Sequence, residues 1–406
     1  MNILQLCNKP PYPPLEGGSI AMNNIAQGLI NEGHNVKIIA VNSFKNNISL
    51  DKIPDAYKKT TQIELVDVDL RVLPHKAFFN LFTTKSYHVE RFISEAFKAK
   101  LIEVLTHNSF DIVQIETVYL APYIPTIQAF SKAKIVIRSH NIEHRIWKRL
   151  ADNCPSFLKK WYLNHLAKTL KQYELKALNT ADGIITISKP DMDYFVQNGC
   201  RKPIKVIPFG ISQEKIKTIN PKESDMTESA FNIGYIGAMN WFPNIEGMKW
   251  FFDEVWNKAF LSQTKIHFHL AGRAISKDFY EFASANVTIH GEVEDAYQFI
   301  NNCDIMITPL FSGSGIRIKI VESMLLGKPV ITTTIGAEGI NYRDKHDIII
   351  ANSADGFTDA IKLLVKDSDL RKIIGVNAHE LIHLEHNTAL ITPKLVDFFK
   401  SLIDDE

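Results

Sequence analysis

The chain has 406 residues, more than one hydrophobic core usually organises, which predicts two domains of roughly 200 residues each. Its 45% hydrophobic and 22% charged composition is typical of a soluble globular protein, and no apolar run reaches the ~18 residues of a transmembrane helix. A net charge of +1 gives no sign of a nucleic-acid partner, so any site for a polyanion must be local.

The N-terminus and the cysteines both favour a cytoplasmic protein. The opening residues "MNILQLCNKPP" lack the basic segment, apolar segment and cleavage site of a secretion signal. The four cysteines form no C-x-x-C pair and show no metal-ligand spacing. We therefore expect reduced thiols and no metal site.

Short apolar runs alternate with longer amphipathic segments in the first half of the chain, which predicts parallel βαβ units. Their near-continuous hydrophobicity is typical of strands that are covered by helices on both faces. Strands are predicted at residues 2–7, 36–41, 111–116, 134–139, 183–188 and 204–209. Helical spacing of apolar residues predicts a helix over 19–33.

A second series of strands follows a polar stretch at 212–229 that we interpret as a linker. These strands are predicted at residues 231–237, 265–272, 286–291, 304–310, 328–333 and 347–350. The sequence thus predicts two Rossmann-like, doubly wound α/β domains at 1–211 and 230–390. The amphipathic segment 391–406 is either an ordinary terminal helix or one that packs back on the first domain.

The first candidate site is the loop "KPPYPPLEGGS" at 9–19, between the first strand and the first helix. Gly17 and Gly18 allow close approach of a phosphate or sugar, and Ser19 is placed to cap the helix. The loop is not G-x-G-x-x-G, and no acidic residue ends the second strand, which disfavours an ordinary dinucleotide site. The alternative is a proline-stiffened turn whose glycines serve turn geometry alone.

The second candidate site is "RSHNIEHRIW" at 138–147, directly after a predicted strand. His140 and Asn141 fall at the carboxyl end of that strand, where open α/β sheets bind ligands. An imidazole there can donate to a phosphate or a sugar hydroxyl, or transfer a proton. The alternative is a structural or capping histidine. His144 and Trp147, one helical turn on, are expected to pack the following helix.

The third candidate site is "FSGSGIRIKIVE" at 311–322, where a strand runs through a glycine-serine loop into a helix. Backbone N–H groups of Ser314, Gly315 and Ile316 are predicted to point outward at the helix N-terminus, which suits an anion.

Charged residues strengthen this third candidate. Arg317 and Lys319 fall in the predicted first turn, where cations oppose the helix dipole unless an anion is present. Arg317 can bind a phosphate through two hydrogen bonds, and Glu322 suits two sugar hydroxyls better than a phosphate. The alternative is a surface Lys–Glu pair on an amphipathic helix.

Loops after other strands of the second domain supply further candidates for ligand binding. Each of these loops comes directly after a predicted strand. The loops span residues 237–244, 271–273, 290–295 and 334–340. Their candidate residues include Gly237, Asn244, Gly272 and Arg273. A nucleotide-activated substrate is the ligand that such a rim of loops is expected to hold.

These motifs together resemble a known family. The chain resembles retaining glycosyltransferases of the GT-B fold, the group 1 or family 4 class, over essentially its whole length. The similarity rests on "EGGSIAMNNIAQGLINEGHNVKIIA", "RSHNIEH", "ADGIITIS", "KVIPFGI", "IGAMNWFPN", "HLAGR", "IHGEVED" and "CDIMITPL", and above all on "GSGIRIKIVESMLLGKPVITTTIGAEGI".

The resemblance implies two Rossmann-like domains that face each other across a cleft, with a UDP- or GDP-linked sugar donor held mainly by the second. It implies a glycan or lipid-linked acceptor at the first domain and transfer with retention of anomeric configuration. No metal or separate cofactor is implied. Cell-surface polysaccharide biosynthesis at the cytoplasmic face of the membrane is the expected setting.

The resemblance also assigns roles to single residues. Glu322 matches the family glutamate that binds the donor ribose, and His140 matches a histidine near the transferred sugar and the donor phosphates. Gly17 and Gly18 match the glycine pair of the first loop. The backbone near Val293 matches the region that meets the nucleobase.

The sequence departs from the family at two points. Ser314 stands where the first glutamate of an E-x7-E pair is expected, eight residues before Glu322. The usual Arg and Lys of the loop after the first strand of the second domain are absent from "GAMNWFPNIEG". We therefore hypothesise that Arg317 and Lys319 neutralise the departing diphosphate from the opposite loop.

Residues 132–176 suggest a contact with a membrane. They contain eleven Lys or Arg and three Asp or Glu, with Trp147, Trp161 and Tyr162 interleaved. Such a basic, aromatic surface fits an anionic membrane that carries a lipid-linked acceptor. The alternative is an ordinary solvated helical face.

Two other functions remain as alternatives at this stage. A nucleotide-sugar epimerase of the same fold would convert the donor without any acceptor. A catalytically degenerate, nucleotide-sugar-binding subunit would bind the donor without turnover, and the missing first glutamate favours it.

Overall fold

The computed structural model describes residues 1–211, 230–260, 263, 265–313 and 315–404. The predicted linker at 212–229 and the candidate residue Ser314 lie outside the described residues. The chain forms two compact domains: Met1–Gly210 with Thr388–Glu406, called the first domain, and Ile211–Asn387, called the second.

The first domain is built on a parallel sheet. Its strands are β1 (Asn2–Cys7), β2 (Asn35–Asn42), β3 (Glu64–Asp67), β4 (Ile112–Glu116), β5 (Lys134–Ser139), β6 (Gly183–Thr186) and β7 (Ile204–Val206). They lie in the order β3-β2-β1-β4-β5-β6-β7. The order reverses between β1 and β4, so the loops after these strands diverge there and leave room for a ligand.

Helices cover both faces of this sheet. They are α1 (Gly17–Asn31), α2 (Asp55–Thr61), α3 (Pro74–Asn80), α4 (Tyr87–Glu90), α5 (Glu95–His107), α6 (Ile124–Phe130), α7 (Glu143–Asp152), α8 (Phe157–Leu178) and α9 (Lys189–Gln197). Along β1, Leu4 and Leu6 join one apolar cluster and Ile3 and Cys7 join the other. Alternate side chains are therefore buried on opposite faces, which explains the continuous hydrophobicity of the strand.

The second domain repeats this design. Its strands are β8 (Phe231–Ile236), β9 (Ile266–Ala271), β10 (Val287–Gly291), β11 (Ile305–Thr308), β12 (Val330–Thr332) and β13 (Ile349–Ile350). They are parallel, in the order β10-β9-β8-β11-β12-β13. Its helices are α10 (Phe242–Trp250), α11 (Asn257–Ala259), α12 (Ala296–Asn302), α13 (Ile318–Leu325), α14 (Ala354–Lys366) and α15 (Ser368–His386). The order reverses between β8 and β11. The prediction of two doubly wound, Rossmann-like domains is confirmed.

The last helix, α16 (Thr388–Asp404), belongs to the first domain and begins three residues before the segment predicted at 391–406. It packs against α1, where a Cβ atom on Gly28 would lie 2.4 Å from Oγ1 of Thr392. Glycine thus permits a helix contact that any side chain would obstruct. Ile391 and Phe399 share an apolar cluster with Met22 of α1.

The sequence reading missed β3. This short strand at the edge of the sheet pairs only with β2 and buries only Val66. Because an edge strand has a partly solvated surface, its residues lack the apolar run that marked the other strands. Among the described helices, none combines the length and the hydropathy needed to cross a bilayer.

Candidate functional site

The chain segments at the carboxyl ends of β8, β9 and β10 are joined through backbone hydrogen bonds. The carboxyl ends of the strands form the edge of each sheet at which we expect a ligand. The N–H of Gly237 donates to Ala271, and the N–H of Gly272 donates to Gly291, at 3.1 and 2.7 Å. Gly272 has a φ of +150°, and a Cβ atom there would lie 1.8 Å from the carbonyl oxygen of Gly237. The two glycines predicted as ligand-binding residues therefore permit this close contact between loops.

Lys319, the second residue of α13, extends to the loop after β8. Its Nζ donates to the hydroxyl of Tyr235 at 2.7 Å and to Oδ1 of Asn244 at 2.8 Å. The ammonium lies 4.1 Å from the centre of the Tyr235 ring. Lys319 thus supplies a cation from α13 to the loop whose own sequence lacks the Arg and Lys expected from the family.

Burial, and then the nearby guanidinium of Arg317, hold the pKa of Lys319 well below its usual value. Within the described part of the chain, the ammonium has only neutral hydrogen-bond partners and no carboxylate. Lys319 is partly exposed, so a ligand at the edge of the sheet can reach it. A partly buried cation held by neutral groups is suited to an anionic ligand. The alternative of a surface Lys–Glu pair is wrong.

Arg317 differs from its prediction in position. α13 begins at Ile318 with Arg317 as its N-cap, so Gly315 and Ile316 precede the helix and do not form its first turn. The Arg317 Nη1 donates to the carbonyl of Gly315 at 2.6 Å, and the guanidinium lies 5.6 Å from the ring centre of Trp241. Extended backbone at residue 317 delays the start of the helix to Ile318. Arg317 is buried beside the loop, and its charge acts on Lys319.

Glu322 lies one turn further along α13. The hydroxyl of Tyr297, from α12, donates to its Oε1 at 3.2 Å. Burial, and then the charge of Glu322, raise the pKa of Tyr297. Lys319 and Glu322 therefore contact different structural elements, one toward β8 and the other toward α12. This spacing suits two parts of one extended ligand.

The remaining candidates of the second domain lie on neighbouring loops. Val293 is partly exposed in the turn between β10 and α12, where Asp295 caps the helix by accepting from the N–H groups of Tyr297 and Gln298. Arg273 follows Gly272 and accepts a backbone hydrogen bond from Met239.

A buried polar network lies in the first domain, at the ends of β4 and β5. Oε1 of Glu116 accepts from Gln5 at 2.7 Å and from Gln114 at 2.5 Å, while Oε2 accepts from Nη1 of Arg138 at 3.2 Å. The side chains of Glu116 and Arg138 are both fully buried. Burial alone would raise the pKa of Glu116, but Arg138 and His140 lower it to about 2.

His140 is fixed by this network. Its Nε2 is hydrogen-bonded to Oε2 of Glu116, and its side chain is 11% exposed. Burial, followed by the charge of Arg138, lowers the pKa of His140, while the bond to Glu116 opposes them. A neutral imidazole that donates through Nε2 presents Nδ1 as an acceptor, and Nδ1 has no partner within the described residues. The edge of the sheet therefore carries an oriented neutral histidine.

The glycine loop brings a cation to the same edge of the first sheet. Nζ of Lys9 binds Glu16 at 3.0 Å, and its side chain crosses Gly18, where a Cβ atom would lie 3.2 Å from Nζ. The charge of Lys9 also lowers the pKa of His140. Lys9, which crosses Gly18, therefore lies within electrostatic reach of the histidine.

Ser19 does not cap α1, contrary to the prediction. The helix begins at Gly17, and the Ser19 hydroxyl donates to the carbonyl of Pro10 at 3.0 Å. The helix starts two residues early because the glycines themselves adopt helical backbone, and Ser19 instead anchors the loop.

His144 and Trp147 pack the following helix. His144 bonds Glu174 at 2.5 Å and Tyr194 at 2.8 Å, and Trp147 stacks on His88 with ring centres 3.9 Å apart. Both are structural, as their position in the helix predicted.

Four residues of these sites escaped the sequence reading: Lys9, Glu116, Arg138 and Tyr235. A signal for two of them was present, because Glu116 and Arg138 interrupt otherwise apolar buried strands and pair in register on β4 and β5. A charge in such a strand requires a partner, and the adjacent strand supplies it. Across the described ranges, no group of three His, Cys, Asp or Glu side chains is arranged to hold a metal.

Two family profiles match the chain. Residues 15–215 match "Glycosyltransferase Family 4", and residues 230–367 match "Glycosyl transferases group 1". A protein described as an uncharacterized 44.6 kDa protein in the cps region of Klebsiella pneumoniae is 23% identical, with 93% of this chain and 94% of that protein covered. An uncharacterized glycosyltransferase of Methanocaldococcus jannaschii is 22% identical, with 90% and 94% covered.

Solved structures share the fold. Anabaena HepE in complex with UDP superposes with a TM-score of 0.67 at 15% identity, covering 99% of this chain and all of that one. Sucrose-phosphate synthase from Thermosynechococcus elongatus superposes with a TM-score of 0.71 at 13% identity, and both chains are fully covered. With both halves of its sequence matched and a fold of two Rossmann-like domains, the chain belongs to the group 1, family 4 glycosyltransferases of the GT-B fold.

Proposed function

We propose that the protein is a retaining glycosyltransferase that moves a sugar from a nucleotide-sugar donor to a hydroxyl of a glycan or lipid-linked saccharide. The observation that carries the proposal is the position of Lys319. Its ammonium is held by Tyr235 and Asn244 without a carboxylate in the described structure, while Glu322 follows one turn later. This arrangement offers one group for a diphosphate and another for a ribose.

In this proposal the second domain binds the donor. Lys319, assisted by the charge of Arg317, stabilises the diphosphate as negative charge develops on the leaving nucleotide. Glu322 accepts hydrogen bonds from the ribose hydroxyls, and the backbone near Val293 meets the base. The segments that carry Gly237, Asn244, Gly272, Arg273, Gly315 and Ile316 surround the bound donor. No metal or cofactor has a role.

The first domain binds the acceptor and supplies His140. Because the imidazole is neutral and donates through Nε2 to Glu116, its Nδ1 suits a sugar hydroxyl better than a phosphate oxygen. The acceptor hydroxyl attacks the anomeric carbon on the face that the nucleotide leaves, its proton passes to the departing phosphate, and the C–O bond to the nucleotide breaks. Attack on this face retains the anomeric configuration.

An open cavity of about 830 Å³ at the ends of β2 and β3 is our candidate for the acceptor saccharide. Asn42, Asp67 and Asp69 line it together with Phe44, which is 56% exposed. Carboxylate and amide groups beside an aromatic ring suit the hydroxyls and apolar face of a sugar.

The comparisons suggest which substrates to test first. The HepE structure contains UDP, so UDP-linked sugars are the first donors to test and GDP-linked sugars the second. The relative in the Klebsiella cps region supports a role in polysaccharide biosynthesis. We propose a cytoplasmic enzyme that contacts the membrane through the helices α7 and α8 of its basic segment 132–176. The strand β5 of that segment, with Arg138, is buried and takes no part in the contact.

A panel of nucleotide sugars tests the proposal. We expect one UDP- or GDP-sugar to raise the thermal midpoint of the protein and then to be transferred or slowly hydrolysed. Proton NMR of the first product formed should show the anomeric configuration of the donor. Inversion would contradict the retaining mechanism, and a panel without binding would contradict the function.

A degenerate binding subunit is the second candidate function, and the serine at position 314 favours it because the first family carboxylate is absent. Donor binding without transfer or hydrolysis in the same panel would support it. Transfer to any acceptor would exclude it.

Glu322→Gln should weaken UDP or GDP binding at least about tenfold, since a charged hydrogen bond to the ribose is lost. Pyrophosphate binding should not change, because that ligand has no ribose. Isothermal titration with both ligands measures the difference, and Glu254→Gln, an exposed glutamate paired with Lys258, is the control. Equal weakening of both ligands would argue against a ribose contact.

A further inference from the structure

Two short segments of the first domain hold large apolar side chains that are mostly exposed. One comprises α3 and the turn after it, and the other is the first turn and a half of α8. The side chains are Phe78 (58% exposed), Phe79 (65%), Phe82 (77%), Phe157 (80%), Leu158 (77%) and Trp161 (55%). We call these six side chains the aromatic rim. Exposure of so many large apolar groups in two segments marks an interaction surface.

The two segments border the same small core. Tyr87 of α4, Ala151 of α7 and Leu163 of α8 form that core, and Ala77 of α3 packs against it. The backbone N–H of Leu73 donates to the Tyr87 hydroxyl at 2.9 Å, which ties the start of α3 to α4. The exposed residues therefore extend from neighbouring helices around one packed centre.

The two segments that carry the rim hold more basic than acidic residues. Residues 72–85 contain two lysines and no acid, although Lys85 pairs with Glu90 of α4, and residues 145–168 contain six Lys or Arg and one acid. That acid, Asp152, is paired with Lys148. The rings of Phe79 and Phe82 contact Phe78 with centres 5.9 and 5.6 Å apart, so these aromatics pack mainly on one another. Exposed aromatic rings among lysines match the interface of an anionic bilayer.

We propose that the aromatic rim inserts into the interfacial region of an anionic lipid membrane. The proposal deepens the membrane contact of the proposed function: it adds α3, which lies outside the basic segment 132–176, and it specifies insertion in addition to charge attraction. Stable attachment usually needs two signals, and the rim with its lysines supplies both. A second copy of the chain is a poorer occupant, because a symmetric contact would bring two positive surfaces together.

Vesicle flotation of the full chain tests the inference without donor or acceptor. One vesicle is pure phosphatidylcholine, and the other is phosphatidylcholine mixed equally with phosphatidylglycerol. The α8 variant is Phe157→Ser/Leu158→Ser/Trp161→Ser, the α3 variant is Phe78→Ser/Phe79→Ser/Phe82→Ser, and the control is Ile373→Ser/Val376→Ser. The two control residues are exposed apolar side chains of the second domain.

We expect the protein and the control to float with phosphatidylglycerol vesicles and to remain behind with pure phosphatidylcholine. Each rim variant should lose at least about tenfold in partitioning, because three apolar side chains no longer leave water. Brominated lipids should quench tryptophan emission, and Trp161→Phe should remove most of that quenching. Thermal unfolding of each variant shows whether it is folded.

Three results would overturn the inference. The first is a protein that does not float with anionic vesicles, and the second is a set of folded rim variants that float as well as the control. The third is flotation without quenching of tryptophan emission, which would show that the contact rests on charge alone. If the protein forms a dimer, the rim variants are monomeric and flotation is unchanged, the rim binds a second copy of the chain and not a membrane. Because the assay contains no donor or acceptor, its failure is separate from failure of the proposed transfer reaction.

Discussion

Replacement of Lys319 with methionine should lower the rate of glycosyl transfer at least about 100-fold, the loss typical when a group that stabilises transition-state charge is removed. Its ammonium is hydrogen-bonded to Tyr235 and Asn244 at the edge of the second sheet. Methionine keeps the length of the side chain and removes its charge. Binding of both UDP and pyrophosphate should weaken. This result distinguishes Lys319 from Glu322, because Glu322→Gln should weaken the binding of UDP only.

The pH dependence of binding gives a second test of Lys319. Burial and Arg317 lower the pKa of the empty-site ammonium, so it loses its proton at a lower pH than an exposed lysine. A bound diphosphate favours the protonated form and raises that pKa again. Affinity should therefore fall as pH rises above the lowered pKa, by up to about tenfold per pH unit for one linked proton. Lys319→Met should abolish this slope.

The Lys319→Met protein must also be shown to be folded. The variant loses two hydrogen bonds but no longer buries a charged ammonium, and these effects offset each other. We therefore expect its free energy of unfolding to change by no more than about 1 kcal/mol. Lys258→Met, at an exposed lysine paired with Glu254, should leave binding and transfer unchanged. Full activity in a folded Lys319→Met protein would exclude Lys319 from the diphosphate site.

The sequence was sufficient to predict the fold because both domains use buried parallel strands. Such strands are apolar on both faces, and they stand out from the helices between them. β3 was missed because it is an edge strand that buries only Val66. The early start of α1 and the late start of α13 were missed because glycine-rich sequence does not define a helix boundary.

The candidate site was predictable in part. Position after a strand identified His140, Lys319 and Glu322, whose roles stay predictions. Their environments were not predictable, because they depend on contacts between segments that are distant in the sequence. Lys319 is hydrogen-bonded to Asn244, which is 75 residues away in the sequence, and His140 to Glu116, which is 24 residues away. A pattern of residue types indicates which side chains reach an edge of the sheet, but only packing determines what partners each one finds there.

Glu116→Gln should destabilise the first domain by about 3–5 kcal/mol, the usual cost of removing one partner of a buried ion pair. The substitution preserves shape, so the loss arises from charge. Arg138, whose side chain is fully buried, would keep its positive charge without the carboxylate. Denaturant unfolding followed by circular dichroism measures the change, and Glu103→Gln, at a 56% exposed side chain paired with Lys100, should stay within about 0.5 kcal/mol.

The free energy of unfolding, measured as a function of pH on the acid side, tests the same Glu116 carboxylate. The native pKa of Glu116 is about 2, and the unfolded value is near 4.5. The carboxylate therefore contributes stability that is complete above pH ~5 and is lost as pH falls toward 2, because the unfolded chain takes up the proton first. Glu116→Gln should flatten this part of the profile. A variant as stable as Glu103→Gln, with an unchanged acid limb, would show that Arg138 does not depend on Glu116 and that His140 is oriented by other contacts.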